Sequence, residues 1–146
     1  MKLSTRTRYG MLALLDLAIN ANGQPTQLKD VAERQNISLS YLEHLIIPLI
    51  SAGFVQSTRG SHGGVKLAKP PEQIRLDTVL ETLEGPLFPV DCLKDGKCSR
   101  SGVCATQDVW DEIRIAMQNV LKSKTLQDLV ESQKSKSSGT REMYYI

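Results

Sequence analysis

The sequence predicts a mainly α-helical protein with one small β-hairpin: a winged helix-turn-helix domain followed by a cysteine loop and a long dimerisation helix. Three observations support this fold class. Segments with helical apolar periodicity occupy much of residues 9–51. Two alternating stretches, 54–58 and 65–68, flank a glycine-rich tip as the strands of a hairpin do. A single amphipathic stretch, 110–121, is long enough for about three helical turns.

The first two helices are predicted from residues 9–19 and 26–35. Apolar side chains cover nearly the whole circumference of the first, which is typical of a buried helix, and Asn22-Gly23 ends it. Thr26 is placed to accept hydrogen bonds from the first-turn amides of the second helix. The apolar face of that second helix is formed by Leu28, Val31 and Ala32.

The third helix is predicted to begin at Ser40, which has the spacing of a capping box with Glu43. Its inward face is formed by Leu42, Leu45, Ile46 and Leu49. Polar side chains that can meet base edges are left outside. These are Ser38, Ser40, Tyr41, Glu43 and His44. Pro48 lacks an amide hydrogen and crowds the carbonyl of His44, so we expect a kink there.

The tip of the hairpin carries Arg59 beside Gly60, and it would reach the DNA backbone or minor groove next to the third helix. The charge distribution agrees with this, because residues 1–70 carry eight Lys and Arg against four Asp and Glu (+4). Residues 71–146 carry ten against twelve (−2). A basic half favours a polyanionic partner. The alternative is an ordinary pair of helices packed on a hairpin, without DNA.

A short helix after the hairpin is predicted with Asp77 as its N-cap and Gly85 just past its end. The apolar face of the long helix could pack on the chain's own core or against the same helix of a second subunit, and we favour the second. A final short helix through Val130 and a flexible polar tail complete the chain. The predicted units are a DNA-binding domain (1–70), a connecting segment (71–91), the cysteine loop (92–104), the last two helices (105–131) and the tail (132–146).

All three cysteines, Cys92, Cys98 and Cys104, lie in one loop with five residues between neighbours. The odd number of cysteines and the absence of a secretory signal argue against a disulfide framework. Clustered cysteines in such a chain indicate metal binding or redox chemistry, and free thiols in a surface loop are the third possibility. Zinc usually takes cysteine pairs two to four residues apart. Iron-sulfur clusters accept wider gaps and hydrogen bonds from loop amides.

Several classes of protein are disfavoured. The longest apolar run, 11–19, is interrupted by Asp16 and is too short to span a bilayer, so we expect a cytoplasmic protein without a membrane partner. No phosphate-binding Gly-Lys-Ser/Thr loop is present. His44 and His62 lie in the predicted DNA-binding elements without a nucleophile pattern. We therefore expect neither an enzyme nor a small-molecule substrate.

Several motifs of this chain occur together in one known family. They are Met1-Lys2-Leu3-Ser4, Arg8-Tyr9, Ser38-Leu39-Ser40-Tyr41-Leu42-Glu43, Thr58-Arg59-Gly60 with Gly63-Gly64, and Cys92, Cys98 and Cys104. Over nearly its whole length the chain resembles the IscR-type iron-sulfur cluster regulators of the bacterial Rrf superfamily. This resemblance implies a homodimeric transcription regulator that binds double-stranded DNA and responds to iron-sulfur cluster supply.

The resemblance also assigns residues. The recognition helix would carry Ser38, Ser40, Tyr41, Glu43 and His44, and the wing would carry Arg59 and Gly60. The three cysteines would hold a 2Fe-2S cluster, with a 4Fe-4S cluster as the alternative. IscR-type proteins take the fourth ligand from a histidine three residues after the last cysteine, where this chain has Gln107. Nitric-oxide sensors of the family use an acidic residue of the partner subunit, where this chain has Arg8. A metal-free thiol switch or nitric-oxide sensing is the alternative function.

Overall fold

The computed structural model describes residues 2–20 and 22–142, and within them it contains six α-helices and one antiparallel two-stranded sheet. In chain order the elements are α1 (Thr5–Asn20), α2 (Leu28–Gln35), α3 (Leu39–Ser51), β1 (Val55–Thr58), β2 (Gly64–Leu67), α4 (Leu76–Glu84), α5 (Ala105–Lys122) and α6 (Leu126–Glu142). Single 3-10 turns lie at Pro71–Gln73 and Asp91–Leu93. The predicted mainly α winged helix-turn-helix fold is confirmed. None of the helices in the described ranges is long and apolar enough to cross a membrane.

One apolar core unites the DNA-binding domain with α4 and the start of α6. Its most deeply buried side chains come from nearly every element: Leu14, Leu17, Val31, Leu42, Leu45, Leu49, Val55, Ile74, Val79 and Leu126. The inward stripe predicted for α3 is buried as expected. The prediction that α1 is buried all round was wrong, because Leu12 and Ile19 are exposed. Burying each large apolar side chain contributes about 1.5–3 kcal/mol, so this shared core holds α4 and α6 against the helix-turn-helix.

Helices α1 and α4 pack closely and are linked by one carboxylate. A Cβ atom added to Gly10 would lie 2.6 Å from the side chain of Leu83, so only glycine permits this separation without a shift. At the same crossing Glu84 accepts from the amide of Ser4 at 3.1 Å and from its hydroxyl at 2.6 Å. The buried hydroxyl of Thr7 donates to the same carboxylate oxygen. The end of α4 is therefore fixed to the first turn of α1.

A buried carboxylate links α1 to α2. Asp16 is only 3% exposed, and it is the residue that interrupts the apolar run of the sequence. Arg34 donates to it through Nε at 2.9 Å and Nη2 at 2.7 Å, while Asn20 and Gln35 donate to Oδ1 at 3.1 Å each. The hydrogen bond to Asp16 raises the pKa of Arg34. A buried carboxylate is tolerated when its oxygens are paired in this way, so the network holds α2 at a defined position on α1.

Three predicted helix starts were wrong. Ser38, not Ser40, caps α3, because the chain is still extended at Ser38 and its hydroxyl accepts from the amide of Tyr41 at 3.3 Å. Thr26 does not cap α2, because its backbone groups pair with Val65 of β2. Asp77 lies inside the first turn of α4, which begins one residue earlier, and it pairs with Arg75 at 2.6 Å.

Two further sequence expectations concern Pro48 in α3 and Gly85 after α4. Helix α3 continues through Pro48 to Ser51, and the kink expected at Pro48 stays a prediction. Gly85 follows the last residue of α4 at φ 83°, as the sequence indicated.

The chain returns from α5 to the core through a short backbone pairing. The amide of Leu76 donates to the carbonyl of Lys124 at 3.0 Å, and the amide of Leu126 donates to the carbonyl of Ile74 at 2.8 Å. Helix α6 then begins with a capping box, in which Thr125 and Asp128 exchange hydrogen bonds. These contacts close a loop that contains α4, the cysteines and α5.

The end of the chain differs from the prediction. Helix α6 runs to Glu142, so the expectation of a short last helix and a flexible tail from residue 132 was wrong for the residues up to 142. Leu126 and Val130 are buried and anchor its first turns, and a polar helix can continue from such an anchored start. Residues 143–146, which complete the predicted tail, lie outside the described residues.

Replacing Glu84 with Gln tests the α1–α4 link. The hydroxyl of Ser4, followed by that of Thr7, lowers the pKa of Glu84 below 4.5. Because the pKa is lower in the folded state, the contribution of Glu84 to stability is present above the pKa of the unfolded chain and is lost as pH falls through the folded value. Glu84→Gln should lower the free energy of unfolding by about 1–2 kcal/mol at pH 7, with the deficit shrinking below pH 4.5.

Urea denaturation of both proteins between pH 7 and pH 3 measures this effect. The matched control is Glu81→Gln, an exposed position of the same helix, which should change stability little at any pH. A deficit of Glu84→Gln that is the same across the whole pH range would contradict the charge-assisted link.

Candidate nucleic-acid interface and cysteine loop

The first turn of α3 presents the polar side chains that the sequence predicted for DNA recognition. All five are exposed: Ser38, Ser40, Tyr41, Glu43 and His44. The imidazole Nδ1 of His44 lies 2.7 Å from the carbonyl oxygen of Ser40, which fixes the direction of the ring and leaves Nε2 facing away from that bond. The hydroxyl of Ser38 accepts a hydrogen bond from the amide of Tyr41. The structure therefore places these side chains together on one solvent-facing turn.

Two residues that the sequence interpretation did not assign to DNA recognition support this turn. The ring of Tyr9 on α1 meets the ring of Tyr41 edge to face, with centroids 6.0 Å apart. The guanidinium of Arg8 lies 5.8 Å from the centroid of Tyr9. Such contacts orient rings and add about 0.5–1.5 kcal/mol to their burial. The contact joins residues far apart in sequence, so no periodicity could have predicted it.

The wing is a tight hairpin with its charged residue at the tip. Strands β1 and β2 pair from Val55 with Leu67 up to Thr58 with Gly64. The amide of Gly63 donates to the carbonyl of Gly60 at 3.0 Å and closes the turn. Arg59 and Gly60 are exposed, and Arg59 takes part in none of the ion pairs found among the described residues. The Arg59 guanidinium is thus available to an external anion.

The cysteine loop leads from α4 to α5 and has little regular structure. Cys92 lies in the 3-10 turn Asp91–Leu93, and all three cysteines are free and partly exposed. The carbonyl of Cys98 accepts from the amide of Ser101 at 3.0 Å. At the start of the loop, Lys94 pairs with Asp91 at 2.7 Å, which lowers the pKa of Asp91 and raises that of Lys94. Both of these charged side chains are exposed, so the pair adds little to stability.

Cys104 differs from the other two cysteines because it caps α5. Its carbonyl accepts from the amide of Gln107 at 3.1 Å, and its Sγ lies 3.1 Å from the hydroxyl of Thr106. The Thr106 hydroxyl, followed by the backbone amide of Gln107, lowers the pKa of the Cys104 thiol. A lowered pKa increases the fraction of thiolate, which is the form that binds metals and reacts with oxidants.

The three cysteines of the loop are chemically suited to iron and sulfide, but they do not surround a single metal position. Thiolates are the usual ligands of iron-sulfur clusters. Among the described residues, no three His, Cys, Asp or Glu side chains lie close enough together to hold one metal ion. The three cysteines are therefore not arranged around a single ion, whereas the thiolates of an iron-sulfur cluster bind different irons. Gln107, the predicted fourth ligand, is partly buried in the first turn of α5, one turn after Cys104.

Helix α5 carries an apolar face that the other described residues leave uncovered. None of its side chains is buried. Val109, Ile113 and Val120 are 51%, 40% and 61% exposed. Across residues 2–20 and 22–142 nothing buries this stripe, and an uncovered apolar stripe on a helix of 18 residues marks an interaction surface.

The helix pair, the polar first turn of α3 and the charged hairpin define a winged helix-turn-helix protein, a class that binds DNA. A family model, Rrf2, described as an iron-dependent transcriptional regulator, matches residues 3–132. The chain belongs to the Rrf2 family of transcriptional regulators. It is 45% identical over 131 residues to the protein rrf2 of Nitratidesulfovibrio vulgaris, an alignment that covers 89% of this chain and 87% of that protein.

Two solved structures resemble the fold closely. CymR, described as the global cysteine regulator of B. subtilis, has a TM-score of 0.78 and 39% identity, with 90% of this chain and 98% of that chain covered. IscR of T. potens has a TM-score of 0.75 and 36% identity, with 91% and 88% covered. The expected resemblance to IscR-type regulators is confirmed. CymR of Bacillus subtilis and IscR of Vibrio campbellii, 39% and 35% identical to this chain, are named HTH-type transcriptional regulators, which agrees with the expectation that the chain is not an enzyme.

Alanine substitutions at the wing and the recognition helix should have different effects on DNA binding. Arg59→Ala should weaken binding and lessen its salt dependence if the guanidinium meets phosphate.

Glu43→Ala should relax sequence discrimination with little loss of non-specific affinity, because a carboxylate repels phosphate and can accept from the amino group of cytosine. Titrations of cognate and random duplexes at several salt concentrations measure both effects.

The control is Lys124→Ala, which removes one positive charge outside the predicted DNA-binding elements. Its affinity and salt dependence should stay close to those of the unchanged protein. An unaltered salt slope for Arg59→Ala would remove Arg59 from the interface, and a uniform loss over all sequences would refute the role of Glu43.

Proposed function

We propose that this protein is a dimeric transcription regulator whose DNA binding is controlled by an iron-sulfur cluster held by Cys92, Cys98 and Cys104. The observation that carries the proposal is the placement of three free thiols in one loop between the DNA-binding core and α5. Basic side chains, Lys94, Lys97 and Arg100, accompany them and would offset the negative charge of a thiolate-ligated cluster.

The proposed DNA contacts divide into two groups. Side chains of the first turn of α3 would read base edges in the major groove, and Arg59 with Gly60 would contact the neighbouring backbone or minor groove. Glu43 is the best candidate for direct readout, because it is exposed and can only accept hydrogen bonds when ionised. Ser38, Ser40, Tyr41 and His44 would complete the interface.

The proposed metal site has three strong ligands and one weak position. Cys104 is the best prepared, because the Thr106 hydroxyl already stabilises its thiolate. Gln107 offers a carboxamide oxygen, a harder and weaker ligand for iron than a thiolate or imidazole. A cluster would supply the coordinate bonds that draw the three cysteines together. A 2Fe-2S cluster is our first choice and a 4Fe-4S cluster the second.

Dimerisation would cover the apolar face of α5. The same stripe on two copies is self-complementary, as a two-fold interface requires. A dimer also places two α3 helices and two wings on one DNA molecule. Its sites should therefore show two-fold pseudosymmetry, with half-site centres roughly one helical turn or a multiple of it apart.

The second candidate function is a thiol switch without metal, with nitric oxide or an oxidant as the signal. Two observations favour it: the lowered pKa of the partly exposed Cys104 thiol, and the similarity to CymR of Staphylococcus aureus, which has been solved in an oxidized form. Oxidation of an accessible, low-pKa thiol would change the charge and shape of the loop.

Purification without oxygen separates the two candidates. A cluster gives visible absorbance together with iron and acid-labile sulfide in fixed proportion to protein, and Mössbauer spectra distinguish its type. Thiols are colourless. Colourless protein that stays colourless after reconstitution with iron and sulfide, and yet changes its DNA affinity on thiol oxidation, would replace the first proposal with the second.

Substitutions in the loop test the ligand set. Replacing any one of the three cysteines with Ala should prevent stable assembly, because each removes one strong ligand. Gln107→His should preserve assembly, shift the absorbance spectrum and slow the loss of the cluster to oxygen or chelator, since imidazole is the better ligand. Ser99→Ala, an exposed change in the same loop, is the control and should alter neither property. Identical spectra and lifetimes for Gln107→His and the unchanged protein would place residue 107 outside the site.

Two isoleucines on opposite sides of α5 test the dimer. Ile113 and Ile115 are 40% and 44% exposed and lie about 200° apart around the helix. Ile113→Glu should convert the dimer to monomer, because it places two carboxylates inside the proposed interface. Ile115→Glu should leave the dimer intact. Sedimentation or light scattering at micromolar concentration measures the result, and equal effects of the two changes would contradict the proposed face.

A further inference from the structure

Strand β2 has neighbours on both of its edges. On one edge it pairs with β1, where Thr58 lies opposite Gly64 and Ser57 opposite Val65. On the other edge the amide of Thr26 donates to the carbonyl of Val65, and the amide of Val65 donates to the carbonyl of Thr26, both at 2.8 Å. The segment between α1 and α2 thus acts as a short third strand. A hairpin of two strands is marginal by itself in water, so this bridge supports the wing.

Gly64 lies where the third strand approaches most closely. A Cβ atom at this position would lie 2.4 Å from the carbonyl oxygen of Thr26, 2.6 Å from its carbonyl carbon and 3.1 Å from the amide nitrogen of Gln27. All three are backbone atoms, which cannot rotate away as a flexible side chain can. The φ angle of 157° is also one that other residues rarely adopt. Any side chain at residue 64 must therefore separate β2 from Thr26 or distort the start of α2.

The contact between Gly64 and Thr26 joins the two parts of the predicted DNA-binding surface, the helix-turn-helix and the wing. Gln27 is the N-cap residue of α2, and α2 is held on α1 by Arg34 and Asp16. Thr58, the partner of Gly64, directly precedes Arg59 at the wing tip. A displacement at residue 64 would consequently move the wing tip relative to the helix-turn-helix, while the buried core of α3 stays in place.

We infer that Gly64 is a positioning residue for DNA binding: its close backbone contact with Thr26 sets the wing where Arg59 reaches DNA beside α3. The inference rests on the proposed contact between Arg59 and DNA. Gly64 itself touches no DNA in this arrangement. Its role is to let two backbones approach, and the bridge between Thr26 and Val65 then fixes the angle of the hairpin.

The positioning role is tested by comparing Gly64→Ala with Arg59→Ala and with the double variant. It should weaken binding to a specific duplex by about the factor that Arg59→Ala does, on the order of ten- to a hundredfold for loss of one charge-assisted contact. The double variant should be hardly weaker than either single one, because a displaced wing no longer uses Arg59. The loss should instead add to that of Glu43→Ala, which acts through α3. The salt slope of Gly64→Ala should fall to that of Arg59→Ala.

Gly23→Ala is the matched control. Gly23 has a φ of 78°, but nothing lies within 4 Å of a Cβ atom added there, so the change introduces backbone strain without the clash. It should lower thermal stability and leave DNA affinity and salt slope close to those of the unchanged protein. Hydrogen exchange at the amide of Val65 gives a direct readout of the bridge, and it should accelerate in Gly64→Ala and not in Gly23→Ala.

The possible results distinguish the positioning role of Gly64 from the proposed contact between Arg59 and DNA. Full affinity of a folded Gly64→Ala protein, or losses that add to those of Arg59→Ala, would overturn the positioning role while leaving the Arg59 contact intact. No effect of Arg59→Ala alone would remove the wing contact and the inference with it. If Gly64→Ala does not fold, Thr26→Pro, which removes the amide that donates to Val65, replaces it in the same measurements.

Discussion

Two backbone hydrogen bonds, between Ile74 and Leu126 and between Leu76 and Lys124, close the segment that contains the cysteine loop and α5 onto the core of the DNA-binding part. Helix α5 has no buried side chain, so packing within one chain does little to hold it. The pairing at its end and the contact with α4 are what return it to the core. Because Leu126 is fully buried just beyond the pairing, the closure of this loop is coupled to the apolar core.

The elements that could be predicted from the sequence are those whose signal is local. The stripe of Leu42, Leu45, Ile46 and Leu49 has the helical period, and all four are buried on α3. The hairpin has alternation and a glycine-rich tip. The helix starts could not be predicted in the same way. Thr26 has the chemistry of a cap, but its backbone pairs with a residue 39 positions later in the chain, and no local pattern reports such a contact.

The parts of the candidate site that could be predicted are those in which the residue type alone indicates the chemistry. Cysteines at regular spacing indicate a thiol site whatever the loop geometry is, and the polar residues at the start of α3 are exposed as expected. The long-range contacts were not predictable. Asp16 interrupted an apolar run in the sequence and proved to be the acceptor for Arg34. Glu84 belongs to no recognisable sequence pattern, and it accepts hydrogen bonds from Ser4 and Thr7, which lie 80 and 77 positions earlier in the chain.

These long-range contacts also determine how a change at the cysteines could reach the DNA-binding surface of the same chain. The loop is flanked by α4 and α5, and α5 is attached mainly through α4 and the pairing at residues 124–126. The end of α4 contacts α1 through Leu83 beside Gly10 and through Glu84. Helix α1 in turn carries Tyr9, which touches Tyr41 on α3.

A contiguous set of contacts transmits a signal only if some element has two arrangements. The α1–α4 crossing is closely packed, since a Cβ atom at Gly10 would lie 2.6 Å from the side chain of Leu83. The cysteine loop has little regular structure and its thiols are partly exposed, so packing constrains it less than the helices around it. Under the proposed function, a signal from the loop would therefore reach α3 of the same chain by moving α4 as a unit against α1, and a dimer would add a route along α5.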